Sequence, residues 1–106
     1  MRIGLDIDGT ITQAPEFYSI MTRALLLTGN EVHIISYRKT NLAEYTYAQL
    51  RKWKIQYTKI HMTAEDIAAP EWKAKIAKEM RLDIMIDDDI ANLMAMPKEV
   101  KRLCAI

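Results

Sequence analysis

Along the chain, short apolar runs alternate with stretches whose apolar residues recur every three or four positions. Ile3, Leu5 and Ile7 alternate as strand residues do, and Gly9 stops them. From Pro15 the period lengthens. Phe17, Ile20, Met21, Ala24 and Leu25 follow the stripe of a core-facing helix that Gly29 and Asn30 end. The run VHIIS, 32–36, is continuous and apolar, as strands covered on both faces are. Asn41 and Glu44 have the spacing of a capping box, opening a helix whose inner face is Leu42, Tyr45, Leu50 and Trp53, with Gln49 a polar exception. KIHM, 59–62, reads as a third strand. Pro70 opens a third helix buried through Trp72, Ile76, Ala77 and Met80. DIMI, 83–86, is a fourth strand, a short helix over 90–96 stops at Pro97, and VKRLCAI is a last strand.

Strands alternating with helices across short turns require right-handed crossovers. They therefore predict an α/β fold: a doubly wound parallel sheet in a three-layer α/β/α sandwich, one domain over 1–106, with no room for an inserted cap. Ligands of such sheets bind beyond the carboxyl ends of the strands, where strand order reverses, so functional residues are sought there.

The 106 residues are half apolar with a net charge of +1, so no basic excess points to nucleic acid as a bound scaffold or to a membrane surface. No apolar run approaches the ~20 residues of a membrane helix. The single cysteine, Cys104, has no partner in the chain, and the first residues lead into a strand rather than a secretory leader, which places the protein in the cytoplasm.

What changes this plain picture is the chemistry at the strand ends. Asp6 and Asp8 end the first strand, Ser36 the second, and Asp87, Asp88 and Asp89 the fourth; Lys73 sits at the start of the helix before it. Two carboxylates 4 Å apart repel by about 4 kcal/mol at an effective dielectric of 20, so a convergence of three calls for a cation. An all-oxygen ligand set with room left for water and phosphate suits Mg²⁺ better than Ca²⁺, and the absence of His or Cys at a strand end argues against zinc.

Together, DxDGT (Asp6, Asp8, Gly9, Thr10), the strand-ending Ser36, the helix-start lysine and the pair Asp87–Asp88 in IMIDD resemble the four motifs of haloacid dehalogenase superfamily phosphohydrolases, over nearly the whole chain. The resemblance implies a Mg²⁺-dependent phosphomonoesterase. Asp6 would be the nucleophile that becomes an aspartyl phosphate, and Asp8 the acid and base. Asp6, the Asp8 carbonyl and Asp87 would hold the metal, with Asp88 acting through water, and Ser36 and Lys73 would hold the phosphoryl oxygens. Lys75 is the alternative to Lys73. Arg38, two residues after Ser36, is assigned to substrate phosphate by similarity to deoxyribonucleotidases and to the phosphatase domain of polynucleotide kinases. That similarity points to nucleotides or nucleic-acid phosphate ends as substrates, with sugar phosphates as the other class. A capless site of this kind implies a large substrate, a neighbouring subunit as cover, or a flap over 11–17.

Plainer readings stand beside these. Asp-Gly is a common turn, Ser36 can be a loop hydroxyl, Arg38 can pair with a nearby acid, and Asp89 is read as a helix start that favours negative charge. His33 and His61 are packed or edge residues. A receiver domain has its acids, hydroxyl and lysine in another order. A non-catalytic phosphate-binding or regulatory module on the same fold is the alternative function.

Overall fold

The computed structural model describes residues 1–106 and realises the alternation. In chain order the elements are β1 (Arg2–Leu5), α1 (Pro15–Leu27), β2 (Glu31–Lys39), α2 (Ala43–Lys52), β3 (Lys59–Thr63), α3 (Ala69–Glu79), β4 (Ile84–Asp87), α4 (Ile90–Met94) and β5 (Lys101–Cys104), with 3-10 turns at Ile11–Gln13 and Thr40–Leu42. The five strands form one sheet in the order β3-β2-β1-β4-β5, and every pairing is parallel. The fold is therefore a three-layer, Rossmann-like α/β/α sandwich. No helix is long and apolar enough to cross a membrane.

Alternation along the strands feeds two cores. Ile3, Leu5, Val32, Ile34 and Ile86 point to one side and pack with Tyr18 of α1 and Leu50 of α2. Ile35 and Met85 point to the other and pack with Trp72 and Ala77 of α3 and Leu93 of α4. The chain winds outward from β1 through β2 to β3, then returns to β1's other side for β4. The switch point thus lies between β1 and β4.

Two helices bury the faces their periodicity predicts only in part: Met21 and Leu25 of α1, and Leu50 of α2 with Trp53 at its end, do pack against the core, but other members of each stripe do not. On α1 the buried residues are Tyr18 and Thr22, while Phe17 and Ile20 are 57% and 70% exposed. The apolar arc of the helix is broad, with Glu16, Ser19 and Arg23 on the remaining side, so period alone does not fix which part of that arc is buried. Thr22 is tolerated inside because its hydroxyl donates to the Tyr18 carbonyl and accepts the Gln56 N–H. On α2, Thr46 and Leu50 are buried, whereas Leu42 and Tyr45 are exposed. The expected capping box does not form: the 3-10 turn leads into the helix, with the Ala43 N–H bonded to the Thr40 carbonyl.

His33 and His61 tie β2 to β3, as packed residues. His33 Nδ1 lies 3.1 Å from His61 Nε2, and His33 Nε2 lies 2.9 Å from Glu31 Oε1. Burial, with His33 and Lys59 nearby, pushes the His61 imidazole down to about 4. A histidine whose folded pKa is depressed favours folding above its unfolded value of about 6.5, and that contribution is lost as pH falls toward 4. Urea midpoints should therefore drop over this window, and the His61→Gln variant should show a flatter profile; identical profiles would contradict the assignment.

Candidate active site

The loop after β1 and the end of β4 face each other across the switch point. Asp6 follows β1 directly and is held in line by its own N–H, which donates to the Ile86 carbonyl at 3.0 Å. It does not emerge into solvent as a strand-end residue was expected to; it is 6% exposed. Asp87, at the end of β4, is fully buried, and Lys73 of α3 is 2% exposed. The Lys73 Nζ donates to Asp6 Oδ1 at 2.7 Å and to Asp87 Oδ2 at 2.8 Å. Lys75 points away, pairing with Glu65 on the surface. The structure thus places Lys73, and not Lys75, in the site.

Thr10 and Asn92 complete the inner ring, and the Asn92 contact is one that the sequence reading missed. The Thr10 hydroxyl lies 3.2 Å from Asp6 Oδ2 and 3.3 Å from Asp88 Oδ1. Asn92 donates its amide to Asp87 Oδ2 at 3.2 Å, while its buried Oδ1 has no partner. Its only signal in the sequence is a polar residue inside the short apolar helix IANLM. Asp89 caps that helix by accepting the Ala91 N–H, as expected, and its own N–H donates to Asp87 Oδ1. Gly9 is needed for two reasons: its φ is +86°, and a Cβ there would lie 2.2 Å from Asp88 Oδ2. Backbone and carboxylate are in close approach at this point.

Asp8 stands apart from this ring. Its carboxylate is taken by Arg38, with Nε 3.0 Å from Oδ2 and Nη2 2.8 Å from Oδ1. Arg38, assigned to phosphate from the sequence, is therefore engaged with an acid. Ser36 is buried, and its Oγ accepts the Arg38 N–H at 3.2 Å; it does not line the cavity. The cavity measures about 320 Å³ and is bounded by Asp6, Asp8, Tyr37, Arg38, Lys73 and Asp87, with Asp88, Asp89, Asn92 and Ala69 completing it. It sits at the lower end of the size range of small-molecule sites.

The electrostatics separate the two motif acids. Burial raises the Asp6 carboxyl to about 7, against the pull of the Lys73 charge. Hydrogen bonds from Arg38 hold Asp8 below the usual carboxylate range. Burial alone would lower Lys73, but Asp6 and Asp87 outweigh it and keep the ammonium charged. Carboxylate oxygens of Asp6, Asp87 and Asp88 all lie within 4.8 Å of one another. An all-oxygen donor set, with the orphaned Asn92 Oδ1 beside it, fits a hard divalent cation better than a thiophilic one.

No protein-family model matches the sequence, and no curated protein matches it. Solved structures do. A chain in a structure of a Pnkp1/Rnl/Hen1 complex superimposes with a TM-score of 0.79 at 16% identity over 97% of this chain and 45% of that one. A second structure, of the Pnkp1/Rnl/Hen1 RNA repair complex, gives the same score and identity over 42% of its chain. A universal stress protein in complex with cAMP superimposes with a TM-score of 0.62 at 13% identity over 100% of this chain and 98% of that one. The chain spans less than half the length of the first two, and at these identities the likeness is one of fold.

Proposed function

We propose that this chain is a Mg²⁺-dependent phosphomonoesterase of the haloacid dehalogenase type, working through a phosphorylated Asp6. The observation that carries this reading is the buried Asp6 carboxylate, flanked by Lys73, Asp87 and Asp88 at the floor of an open cavity at the sheet switch point. A carboxylate set this deep has little use as a solvated turn. A phosphate dianion resists nucleophiles, so positioning and charge cancellation must carry its hydrolysis.

In the first half of the reaction an Asp6 oxygen forms a bond to phosphorus as the bond from phosphorus to the leaving oxygen breaks, and that oxygen takes a proton from solvent relayed through Asp8, which Arg38 otherwise keeps ionised. In the second half a water oxygen attacks the same phosphorus and gives a proton to Asp8, and the Asp6 carboxylate is released. Lys73 offsets charge on the nucleophile and on the phosphoryl oxygens. Asp6, Asp87 and Asp88 would hold Mg²⁺, which when bound neutralises phosphoryl charge. Ser36 does not line the cavity; within β2 its hydroxyl accepts the Arg38 N–H and so steadies the strand end that carries Arg38.

The protein, incubated with Mg²⁺ and an aryl phosphate, should release phosphate, and BeF₃⁻ with Mg²⁺ should form its adduct on Asp6. An adduct on another residue would overturn the mechanism, and an Asp6 adduct without turnover would assign the non-catalytic phosphate-binding alternative. The substrate class is set by a screen of nucleotides, sugar phosphates and 3′-phosphorylated oligonucleotides. The oligonucleotides are included because of the motif similarity and the shared fold of a chain in an RNA repair complex.

A further inference from the structure

We propose that Thr46 and Arg38 form a positioning clamp that aims Asp8 at the water in the second half of the reaction; this rests on the phosphatase reading above. Asp8's side chain is 64% exposed, so nothing in its packing fixes its rotamer. Arg38 does. Its guanidinium grips both Asp8 oxygens side by side, a geometry that adds direction as well as energy.

The guanidinium is itself immobilised. Its side chain is 10% exposed, its Nη1 donates to Thr46 Oγ1 at 3.1 Å, and its centre lies 5.7 Å from the Tyr45 ring. Its own main-chain N–H is bound to Ser36. Thr46 is fully buried on α2, where packing alone calls for an apolar residue, and Arg38 is the partner that satisfies its hydroxyl. An exposed ion pair without such anchors contributes little. With them, a chain of contacts runs from the inner face of α2 through the end of β2 to the loop after β1.

The clamp has a chemical consequence. Asp8's oxygens lie outside the group formed by Asp6, Asp87 and Asp88, so the Asp6 carboxylate stays clear for phosphorus while Asp8 flanks the cavity. Each carboxylate oxygen keeps a second lone pair when an arginine fork is bound. Asp8 can therefore take the proton from the attacking water with the clamp closed, as the bond between Asp6 and phosphorus breaks and its electron pair returns to the carboxylate.

The test is p-nitrophenyl phosphate turnover with Mg²⁺, followed by rapid acid quench to count phosphorylated enzyme. Nitrophenolate departs without a proton, so the first half does not need Asp8. Arg38→Gln should keep the first-turnover rate and kcat/KM, lose about 10²-fold in steady-state kcat with KM falling in step, and accumulate phosphorylated Asp6. Arg38→Lys, which keeps the charge and loses the fork, should behave like Arg38→Gln. Thr46→Val should shift in the same direction by less, and Thr46→Ser should restore wild-type behaviour. An unchanged kcat, or a first turnover lost together with the steady rate, would overturn the clamp; a raised KM would return Arg38 to a phosphate-holding role. Wild-type protein that neither turns over nor takes label on Asp6 overturns the phosphatase reading, and the clamp falls with it.

Discussion

Replacing Lys73 by methionine should cost the fold about 3 to 5 kcal/mol, the usual result of removing one partner from a buried ion group. The volume is nearly conserved, so packing contributes little to that loss. What remains is electrostatic. Asp6 and Asp87 are 8% and 1% exposed in their side chains, and Lys73 is the ammonium that both accept from. Without it, two carboxylates face each other in a poorly solvated site, and folding must then either hold a proton on one of them or bear their repulsion. For a domain of this size the loss is a large share of the total stability. Urea midpoints at unchanged slope would measure it. The double variant Lys73→Met with Asp6→Asn should recover much of the loss, because contacting charges couple. Millimolar Mg²⁺ should recover part of it as well, since a cation held only by the folded state stabilises by mass action. A loss below about 1 kcal/mol would mean that water reaches the acids and that the pair is not the buried one described.

The same lysine shows what a sequence can disclose. Lys73 lies in register with Trp72, Ile76, Ala77 and Met80, the side of α3 that packs inward, whereas Lys75 is exposed; a charged residue inside an apolar stripe is a signal that separates the two lysines without any motif. The strands were equally legible, since a continuous apolar run such as VHIIS has few uses except a covered parallel strand. Helix faces were less so. In α1 the predicted stripe is split: Met21 and Leu25 pack against the core while Phe17 and Ile20 face out, and Tyr18 and Thr22 take the inner positions, the Thr22 hydroxyl finding partners there. That Arg38 can pair with an acid was legible; Thr46, Asn92 and the choice of Asp8 as that acid were not, for one physical reason. A polar side chain's partner is set by tertiary approach, and spacing along the chain carries no record that residue 38 will meet residue 8.

Asp6→Asn separates chemistry from architecture more cleanly than any other change, and it should abolish phosphate release, by about 10⁴-fold or more, as losing a covalent nucleophile does. The substituted amide should keep the surrounding contacts. Its carbonyl oxygen can accept from Lys73 as Asp6 Oδ1 does, and its NH₂ can donate to the Thr10 hydroxyl, which is then free to donate to Asp88. Stability should hold or rise. Burial has pushed the Asp6 carboxyl up to about 7, so the unfolded chain releases this proton near pH 4 and the folded chain only near 7. In metal-free buffer the wild-type protein therefore loses stability as pH climbs through that window, whereas the amide variant has no proton to release there. At pH 8 the variant should unfold at an equal or higher urea concentration while taking no phosphoryl label. A variant that folds normally and still turns over would place the nucleophile elsewhere, and one that unfolds would show that the Asp6 charge, rather than its shape, holds the switch point together.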